Sequence, residues 1–262
     1  MAATPSALQV EIAGAVAHVR FDRPAVRNAF DDHVAAELAR TFQDLGARDD
    51  LRVIVLGGAG DVFCAGGDLN WMRRVADYTR SENLVDAEAF QEAFEAVDRC
   101  PLPVVGRIHG AALGGGAGLI ACCDIAVAAE DTVIGFPEVR LGLVPGVISP
   151  YVLRKIGLSH TRHLFLTGQR ISAEEAHRIG RVHFVAPEDD IDEVVEDVVA
   201  QLLRCAPEAL AGAKVLLRNL VDSDHAGAAR IALDAITDAR ASDDGRECLT
   251  AFLEKRMARW LT

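Results

Sequence analysis

The chain has 262 residues, of which 50% are hydrophobic and 25% are charged, and its formal net charge is -12 at pH 7. A chain of this length and composition can bury one large core. The acidic balance argues against nucleic acid as the main partner, because phosphate contacts need clustered lysine and arginine side chains. An anionic ligand would have to be held by local dipoles and a few cations.

The cysteines and the chain start bear on the compartment. The six cysteines form no C-x-x-C pair, and Cys122 and Cys123 are adjacent within an apolar run. This usage is typical of core thiols in a reducing compartment. Residues 1–7 lack the basic and apolar regions of a signal peptide, and no apolar run reaches the roughly 18 residues of a membrane span. We therefore expect a cytoplasmic protein without membrane contact.

The first part of the chain alternates strand and helix patterns. Period-two alternation or short apolar runs predict strands at Leu8–Ile12, Ala15–Phe21, Val53–Leu56, Val104–Ile108, Ile125–Ala128 and Val133–Phe136. Helices are predicted over 31–45, with Asp31 as the N-cap, and over 69–76, 84–99 and 116–122. Strands that alternate with helices predict an α/β fold.

After Pro150 the pattern becomes almost entirely helical. Helices are predicted at roughly 150–156, 159–166, 173–179, 190–204, 207–221, 227–240 and 246–257, with one strand near 183–185. We predict two parts: a core over residues 1–190 that carries the site, and a helical region over residues 191–262. The amphipathic helices of the second part can form either a solvated cap or a subunit interface.

Two strand–glycine–helix junctions carry the most specific signal. One spans Gly57–Asp68, and the other spans Ile108–Asp124 with a triple glycine at 114–116. Phe63 and Leu119 occupy the third glycine position of a dinucleotide motif, and P-loop, serine-elbow and zinc motifs are missing from the sequence. Glycines here can serve close helix packing, or they can expose N–H groups of a helix start to an anion. Side by side, the junctions could form an oxyanion hole for a thioester carbonyl.

A carboxylate is the natural complement to such a site. Glu138 follows a short strand and Pro137 and has apolar neighbours. It could be a surface-loop carboxylate. An apolar setting would instead raise its pKa and suit it to proton transfer near neutral pH.

Several segments together resemble the enoyl-CoA hydratase (crotonase) superfamily, in order and along nearly the whole chain. They are Phe63–Leu69 (FCAGGDL), His109–Gly116 (HGAALGGG), Cys123–Ala126 (CDIA), Phe136–Gly142 (FPEVRLG) and Phe252–Arg256 (FLEKR). The resemblance implies an α/β core, a spiral of ββα turns, followed by a C-terminal helical region that forms trimers, often paired into hexamers. It implies an acyl-CoA thioester as substrate, with no metal or redox cofactor.

The resemblance also implies site residues. The N–H groups of Gly67 and Gly115 would bind the thioester oxygen, and Glu138 would be the acid/base. The residues expected around the coenzyme or substrate are Arg23, Arg27, Asn28, Ala65, Asp68, Leu69 and Gly118. Phe252 and Lys255 would reach the coenzyme of a neighbouring subunit. Taken singly, Arg23, Arg27 and Lys255 could equally be solvated cations.

Gly118 is the main departure, because ordinary hydratases of this superfamily place the first of two glutamates there. One carboxylate suffices to move a proton between C2 and C4, which favours a Δ3,Δ2-enoyl-CoA isomerase. Finer likeness in Asp68–Met72, Gly118–Asp124 and Val147–Gly157 points instead to bacterial methylglutaconyl-CoA and carboxygeranoyl-CoA hydratases, which similarly carry glycine there. For their carboxylated substrates, the missing glutamate would enlarge the pocket and remove like-charge repulsion. Arg140 is a candidate partner for that carboxylate.

The sequence therefore predicts an enoyl-CoA hydratase that adds water to a 2-enoyl-CoA thioester, including branched or carboxylated chains. The main alternative is the single-glutamate isomerase. A non-catalytic relative that binds acyl-CoA or RNA is a further alternative, and the acidic charge weakens its RNA version.

Overall fold

The computed structural model describes residues 6–221 and 223–261. The strands are β1 Leu8–Ala13, β2 Val16–Phe21, β3 Val53–Gly58, β4 Val104–Ile108, β5 Ala111–Leu113, β6 Ile125–Ala129, β7 Val133–Gly135, β8 Arg170–Ser172 and β9 Phe184–Ala186. The helices are α1 Asp32–Gly46, α2 Leu69–Val75, α3 Arg80–Asp98, α4 Gly115–Cys122, α5 Ser149–Thr167, α6 Ala173–Arg178, α7 Ile191–Leu203, α8 Pro207–Val221, α9 His225–Ala241 and α10 Asp243–Glu254.

The strands form two sheets. The larger has the order β1-β2-β3-β4-β6-β9, and the smaller has the order β5-β7-β8. In the larger sheet β1 pairs with β2 in antiparallel orientation, and the other described strand pairs of this sheet are parallel. Parallel neighbours need crossover connections, which α1, α3 and α4 provide here. The predicted α/β class is confirmed.

The main core lies between one face of the larger sheet and α1, α3 and α4. Asp31 accepts a hydrogen bond from the Val34 N–H at 2.8 Å and so caps α1 as predicted. Leu38 and Phe42, one turn apart, are buried on the same face of α1. The helix is thus fixed by a side-chain cap at its start and by an apolar face against α3 and the sheet.

The opposite face of the larger sheet is covered by α7. Val195, Val198 and Val199 of this helix belong to the same buried cluster as Val53 and Val105 of the strands. The change to peripheral helices therefore comes after α7, although the predicted boundary at residue 190 assigns α7 to the C-terminal region. The helices beyond it keep several large apolar side chains exposed, namely Leu217, Leu233, Leu249, Phe252 and Leu253.

The two helices predicted at 150–156 and 159–166 are confirmed. Both lie within α5, which is divided at Gly157, where φ of 70° and ψ of 170° are not helical. β5 and β8, each of three residues, were not predicted from the sequence. Within the described ranges, no helix is long and apolar enough to cross a membrane.

Candidate active site

The two glycine junctions lie against each other. The Cys64 N–H donates to the Ala111 carbonyl and the Leu113 N–H donates to the Cys64 carbonyl, both at 3.0 Å. A Cβ built on Gly66 would lie 3.1 Å from the Leu113 carbonyl oxygen. These contacts bring the start of α2 next to the start of α4.

The N–H groups of Gly67 and Gly115 are free to bind a ligand. Neither donates a hydrogen bond to another residue in the described part of the chain. Gly67 precedes Asp68, the N-cap of α2, and Gly115 is the first residue of α4. The N–H groups of a helix's first turn, here that of Gly115, have no partner within the helix and carry its positive dipole end, and the Gly67 N–H lies just before the first turn of α2. The pair can stabilise negative charge that develops on one oxygen atom.

Close packing explains a different glycine of the same motif. A Cβ on Gly116 would lie 2.6 Å from the Cys64 carbonyl oxygen, so only glycine allows the two backbones to approach this closely. Both interpretations of the triple glycine therefore apply, at different residues. Gly116 allows the packing, and Gly115 presents a donor.

Glu138 is brought to the start of α4 by the small sheet. β5 pairs with β7 in parallel register, with Leu113 opposite Gly135, and the Gly114 N–H donates to the Gly135 carbonyl at 2.9 Å. Glu138 follows β7 in a short 3-10 helix, and a Cβ on Gly114 would lie 3.2 Å from its Oε1. The carboxyl group therefore borders the backbone that leads into Gly115.

The surroundings of the Glu138 carboxyl group change its acidity. Its Oε2 is buried and has no hydrogen-bond partner within residues 6–221 and 223–261. Burial raises the pKa of Glu138 above the ordinary carboxyl value. A carboxyl group that titrates closer to neutral pH can both accept and return a proton.

The position of the missing glutamate is filled by apolar side chains. A Cβ on Gly118 would lie 2.3 Å from Cγ2 of Ile148 and 3.0 Å from Cε1 of Phe94. The expectation that glycine at this position enlarges the pocket is therefore wrong. Ile148 and Phe94 take up the space, so the Gly118 side offers an apolar surface.

Aromatic rings continue this apolar wall. Trp71 packs on Phe90 with ring centroids 5.0 Å apart, and Phe94 lies 6.1 Å from Tyr151. A Cβ on Gly67 would lie 3.1 Å from Cζ3 of Trp71. Sequence reasoning missed these residues, although Phe90 and Phe94 are four residues apart on α3, a spacing that places both on one helix face.

Three of the expected coenzyme-binding residues have their polar groups bound internally. Arg23 pairs with Asp31 at 2.9 Å and with Asp68 at 3.1 Å. Asn28 donates from Nδ2 to the carbonyls of Ala59 and Val62, both at 2.8 Å. Asp68 also caps α2 by accepting from the Asn70 N–H. These side chains hold the loops around Gly67 in place.

The other expected residues of this region lie at the surface. Arg27 is exposed, its carbonyl accepts from the Ala65 N–H at 3.0 Å, and its side chain lines an open cavity of about 360 Å³. Leu69 is 69% exposed. Arg27, Ala65 and Leu69 thus surround the Gly67 loop on its solvent side, where a ligand could reach them.

Three further expected residues, Phe252, Lys255 and Arg140, do not lie with their side chains at this site. Phe252 is 80% exposed, and Lys255 ends α10 in a left-handed conformation with φ of 55°. Because α10 packs mainly against α8 and α9, the chain does not bring these residues to Glu138. Arg140 donates to the Thr167 carbonyl at the end of α5, so its guanidinium is already engaged there.

The cysteines offer no alternative nucleophile at this site. Cys64 and Cys123 are buried, and burial raises the pKa of each thiol to about 12. Such thiols stay protonated at neutral pH. Among the described residues, no three His, Cys, Asp or Glu side chains are grouped to hold a metal ion.

Comparison with known proteins identifies the family. The model of the enoyl-CoA hydratase/isomerase family matches residues 11–262. The chain belongs to this family. The enoyl-CoA hydratase ACTT6 of Alternaria alternata is 36% identical over 225 residues, covering 83% of this chain and 72% of that protein. The enoyl-CoA isomerase/hydratase fer4 of Mycosarcoma maydis is 32% identical over 251 residues, covering 92% and 90%.

A solved structure supports the same assignment. The enoyl-CoA hydratase from Shewanella pealeana superposes with a TM-score of 0.94 at 35% identity, over 97% of this chain and 96% of that one. The superfamily and the crotonase fold predicted from the sequence are thereby confirmed. As a member of the enoyl-CoA hydratase/isomerase family, the protein is an enzyme that acts on acyl-CoA thioesters.

Proposed function

We propose that the protein is an enoyl-CoA hydratase that adds water across the double bond of a 2-enoyl-CoA. The observation that carries this proposal is the buried, unpartnered Oε2 of Glu138 beside the two free N–H groups of Gly67 and Gly115. One carboxyl group and two donors suffice for a reaction that passes through an enolate.

The chemistry follows from these three groups. The thioester oxygen accepts hydrogen bonds from Gly67 and Gly115, which stabilise the enolate charge by roughly 3 kcal/mol for each donor. The ionised Glu138 takes a proton from water as the water oxygen bonds to C3. Glu138 then returns that proton to C2. Hydroxyl and hydrogen are added across the double bond, and the carboxylate is regenerated.

The acyl chain that fits the described wall is uncharged next to the thioester. Ile148, Phe94 and Trp71 border Gly118 and Gly67 and present no cation. A carboxylated chain such as methylglutaconyl-CoA would need a partner beyond this wall. Arg154 lies there, 5.8 Å from the Tyr151 ring centroid, but it already pairs with Asp98. We therefore expect a simple enoyl chain to react faster than a carboxylated one.

A Δ3,Δ2-enoyl-CoA isomerase is the second candidate, and the apolar cover over Gly118 favours it. With a single carboxyl group, Glu138 would remove a proton from C2 of a 3-enoyl-CoA and return it at C4. This reaction needs no water in the site. The same oxyanion donors would stabilise its dienolate.

A panel of thioesters tests the proposal. Crotonyl-CoA, a 3-enoyl-CoA and methylglutaconyl-CoA are each incubated with the parent enzyme and with Glu138→Gln. Mass spectrometry detects a gain of water, and ultraviolet absorbance detects whether the double bond becomes conjugated with the thioester. We expect crotonyl-CoA to gain one water with the parent only. Migration of the double bond without a gain in mass would identify the isomerase. Binding without any turnover would identify a non-catalytic acyl-CoA-binding protein.

We also propose that the protein assembles as a homotrimer or as a dimer of trimers. The exposed apolar side chains of α8, α9 and α10, among them Leu217, Leu233 and Phe252, support self-association. Light scattering coupled to gel filtration should give three or six times the chain mass. A monomer at micromolar concentration would contradict this assembly.

A further inference from the structure

Arg181 is a charged side chain that is buried without a counter-ion among the described residues. It follows α6, has no exposed surface, and lies with its guanidinium carbon 5.0 Å from the ring centroid of Phe136. Its Nη2 donates to the Ala117 carbonyl of α4, whereas Nε and Nη1 have no partner among the described residues. A buried charge of this kind is costly, and an apolar side chain of similar size is often better tolerated.

The acceptor of this hydrogen bond leads directly to the oxyanion donor. The Ala117 carbonyl and the Gly118 N–H belong to one peptide group. That N–H donates to the Gly114 carbonyl at 2.9 Å. The Gly114 carbonyl and the Gly115 N–H belong to one peptide group in turn. Two peptide groups in series thus connect the Arg181 cation to the free N–H of Gly115.

Hydrogen bonds in series polarise one another. A carbonyl that accepts from a cation gains dipole, which makes the N–H of the same peptide group a stronger donor. The low dielectric of the interior preserves this effect. Burial lowers the pKa of Arg181 to about 10, so the guanidinium stays charged at neutral pH.

We propose that Arg181 is a positioning residue of the oxyanion site, which polarises the Gly115 N–H through the peptide groups at 117–118 and 114–115. The inference rests on the proposed function, in which Gly115 binds the thioester oxygen. The stabilisation that Arg181 provides through the Gly115 N–H grows as negative charge develops on that oxygen. Arg181 should therefore affect turnover more than substrate binding.

The test compares three variants with the parent. Arg181→Met removes the cation and keeps the length of the side chain, and Arg181→Gln keeps a neutral N–H donor. Arg52→Met is the matched control, because Arg52 also donates to a backbone carbonyl and its Nε also has no partner among the described residues. It precedes β3, at the opposite end of that strand from the glycine junctions. Folding is checked by circular dichroism and thermal unfolding.

The decisive readout is the infrared stretch of an acyl-CoA carbonyl labelled with carbon-13. In the parent, two hydrogen bonds should lower this frequency relative to the free thioester. We expect a smaller shift in Arg181→Met and Arg181→Gln and an unchanged shift in Arg52→Met. In Arg181→Met, kcat should fall about tenfold while KM stays within about twofold. The limb of the pH–rate profile that reports Glu138 should not move.

The possible results are distinguishable. No carbonyl shift in the parent would refute the oxyanion role of Gly67 and Gly115, and with it the proposed function. A parental shift retained in full by both Arg181 variants would refute the polarising role of Arg181. A loss of kcat with a displaced pH limb and an unchanged carbonyl frequency would mean that Arg181 merely supports Glu138 through Phe136. If Arg181→Met does not fold, Arg181→Gln decides between these results.

Discussion

Gly114 and Gly118 lie one helical turn apart at the start of α4, and their neighbours differ in chemistry. A Cβ on Gly114 would meet the Glu138 carboxyl group, and a Cβ on Gly118 would meet Ile148 and Phe94. One neighbour can ionise and has an unsatisfied oxygen, and the others are hydrocarbon. Under the proposed function, proton transfer would therefore come from the Glu138 side. Each experiment below changes one side and leaves the other as it is.

The largest effect is expected from the Glu138 side. Glu138→Gln should lower kcat by about 10²-fold or more, because the amide cannot exchange a proton while the Gly67 and Gly115 donors remain. Acyl-CoA affinity, measured by calorimetry, should stay within a few fold. Glu130→Gln, at an exposed position, serves as the control. Turnover near the parental value would exclude Glu138 as the acid/base.

A substitution at Gly118 should change the stability of the folded protein. Gly118→Ala should lower the free energy of unfolding by about 2 kcal/mol, since its Cβ would overlap Ile148. In a double-mutant cycle with Ile148→Ala, the combined loss should fall short of the sum by about 1 kcal/mol. Gly212→Ala on α8 is the control, because nothing lies within 4 Å of that Cβ. Full additivity in urea unfolding would show that Ile148 does not occupy the space.

A substitution that weakens coenzyme binding should leave the Glu138 and Gly118 sides of the site unchanged. Lys255→Asn removes a cation at a left-handed position that asparagine also tolerates, and we expect KM to rise about threefold with little change in kcat. Arg204→Asn, at the exposed end of α7, is the control. An equal rise in KM for both variants would indicate loss of general charge instead of a specific contact.

Mixed oligomers extend this experiment to the subunit interface. If Lys255 serves the site of a neighbour, subunits with Glu138→Gln should supply their lysine to subunits with Lys255→Asn. The mixture should then show a lower KM than Lys255→Asn alone. Activity that equals the sum of the separate proteins would show that Lys255 makes no contribution across the subunit interface.

The smallest effect concerns the pH dependence of stability. Burial raises the pKa of Glu138 in the folded state, so the unfolded chain loses this proton first as the pH rises above the ordinary carboxyl value of 4.5. Stability falls through that window, because the folded state binds more protons there than the unfolded state. Glu138→Gln removes the penalty and should raise Tm on the order of 2 °C at neutral pH. The two proteins should have equal Tm at a pH below the ordinary value, and a difference that persists there would reject this explanation.

The local sequence was sufficient to predict the glycine junctions, the Asp31 cap and the raised pKa of Glu138, because each depends largely on neighbours within a few residues. It was not sufficient to predict what fills the space beside Gly118, since Ile148 and Phe94 are distant in the chain. Arg23 shows the same limit. The resemblance placed it near the coenzyme, and the fold supplies Asp31 and Asp68 as its partners.

The packing of α7 could not be predicted from the sequence either. Its apolar stripe fits a subunit interface as well as it fits a sheet, because both present an apolar surface. Only the tertiary structure shows that Val195 and Val198 pack with the strands. Similarly, nothing near Arg181 in the sequence indicates that its side chain reaches the Ala117 carbonyl.

Trp71 has a practical consequence for studying this enzyme. The chain contains two tryptophans, and the indole of Trp71 borders Gly67 while its Nε1 donates to Asp86 at 3.0 Å. A thioester bound at Gly67 would exclude water from one edge of this ring and change its fluorescence. In a Trp260→Phe background, the emission of Trp71 alone would report substrate arrival in real time, even in variants that no longer turn over.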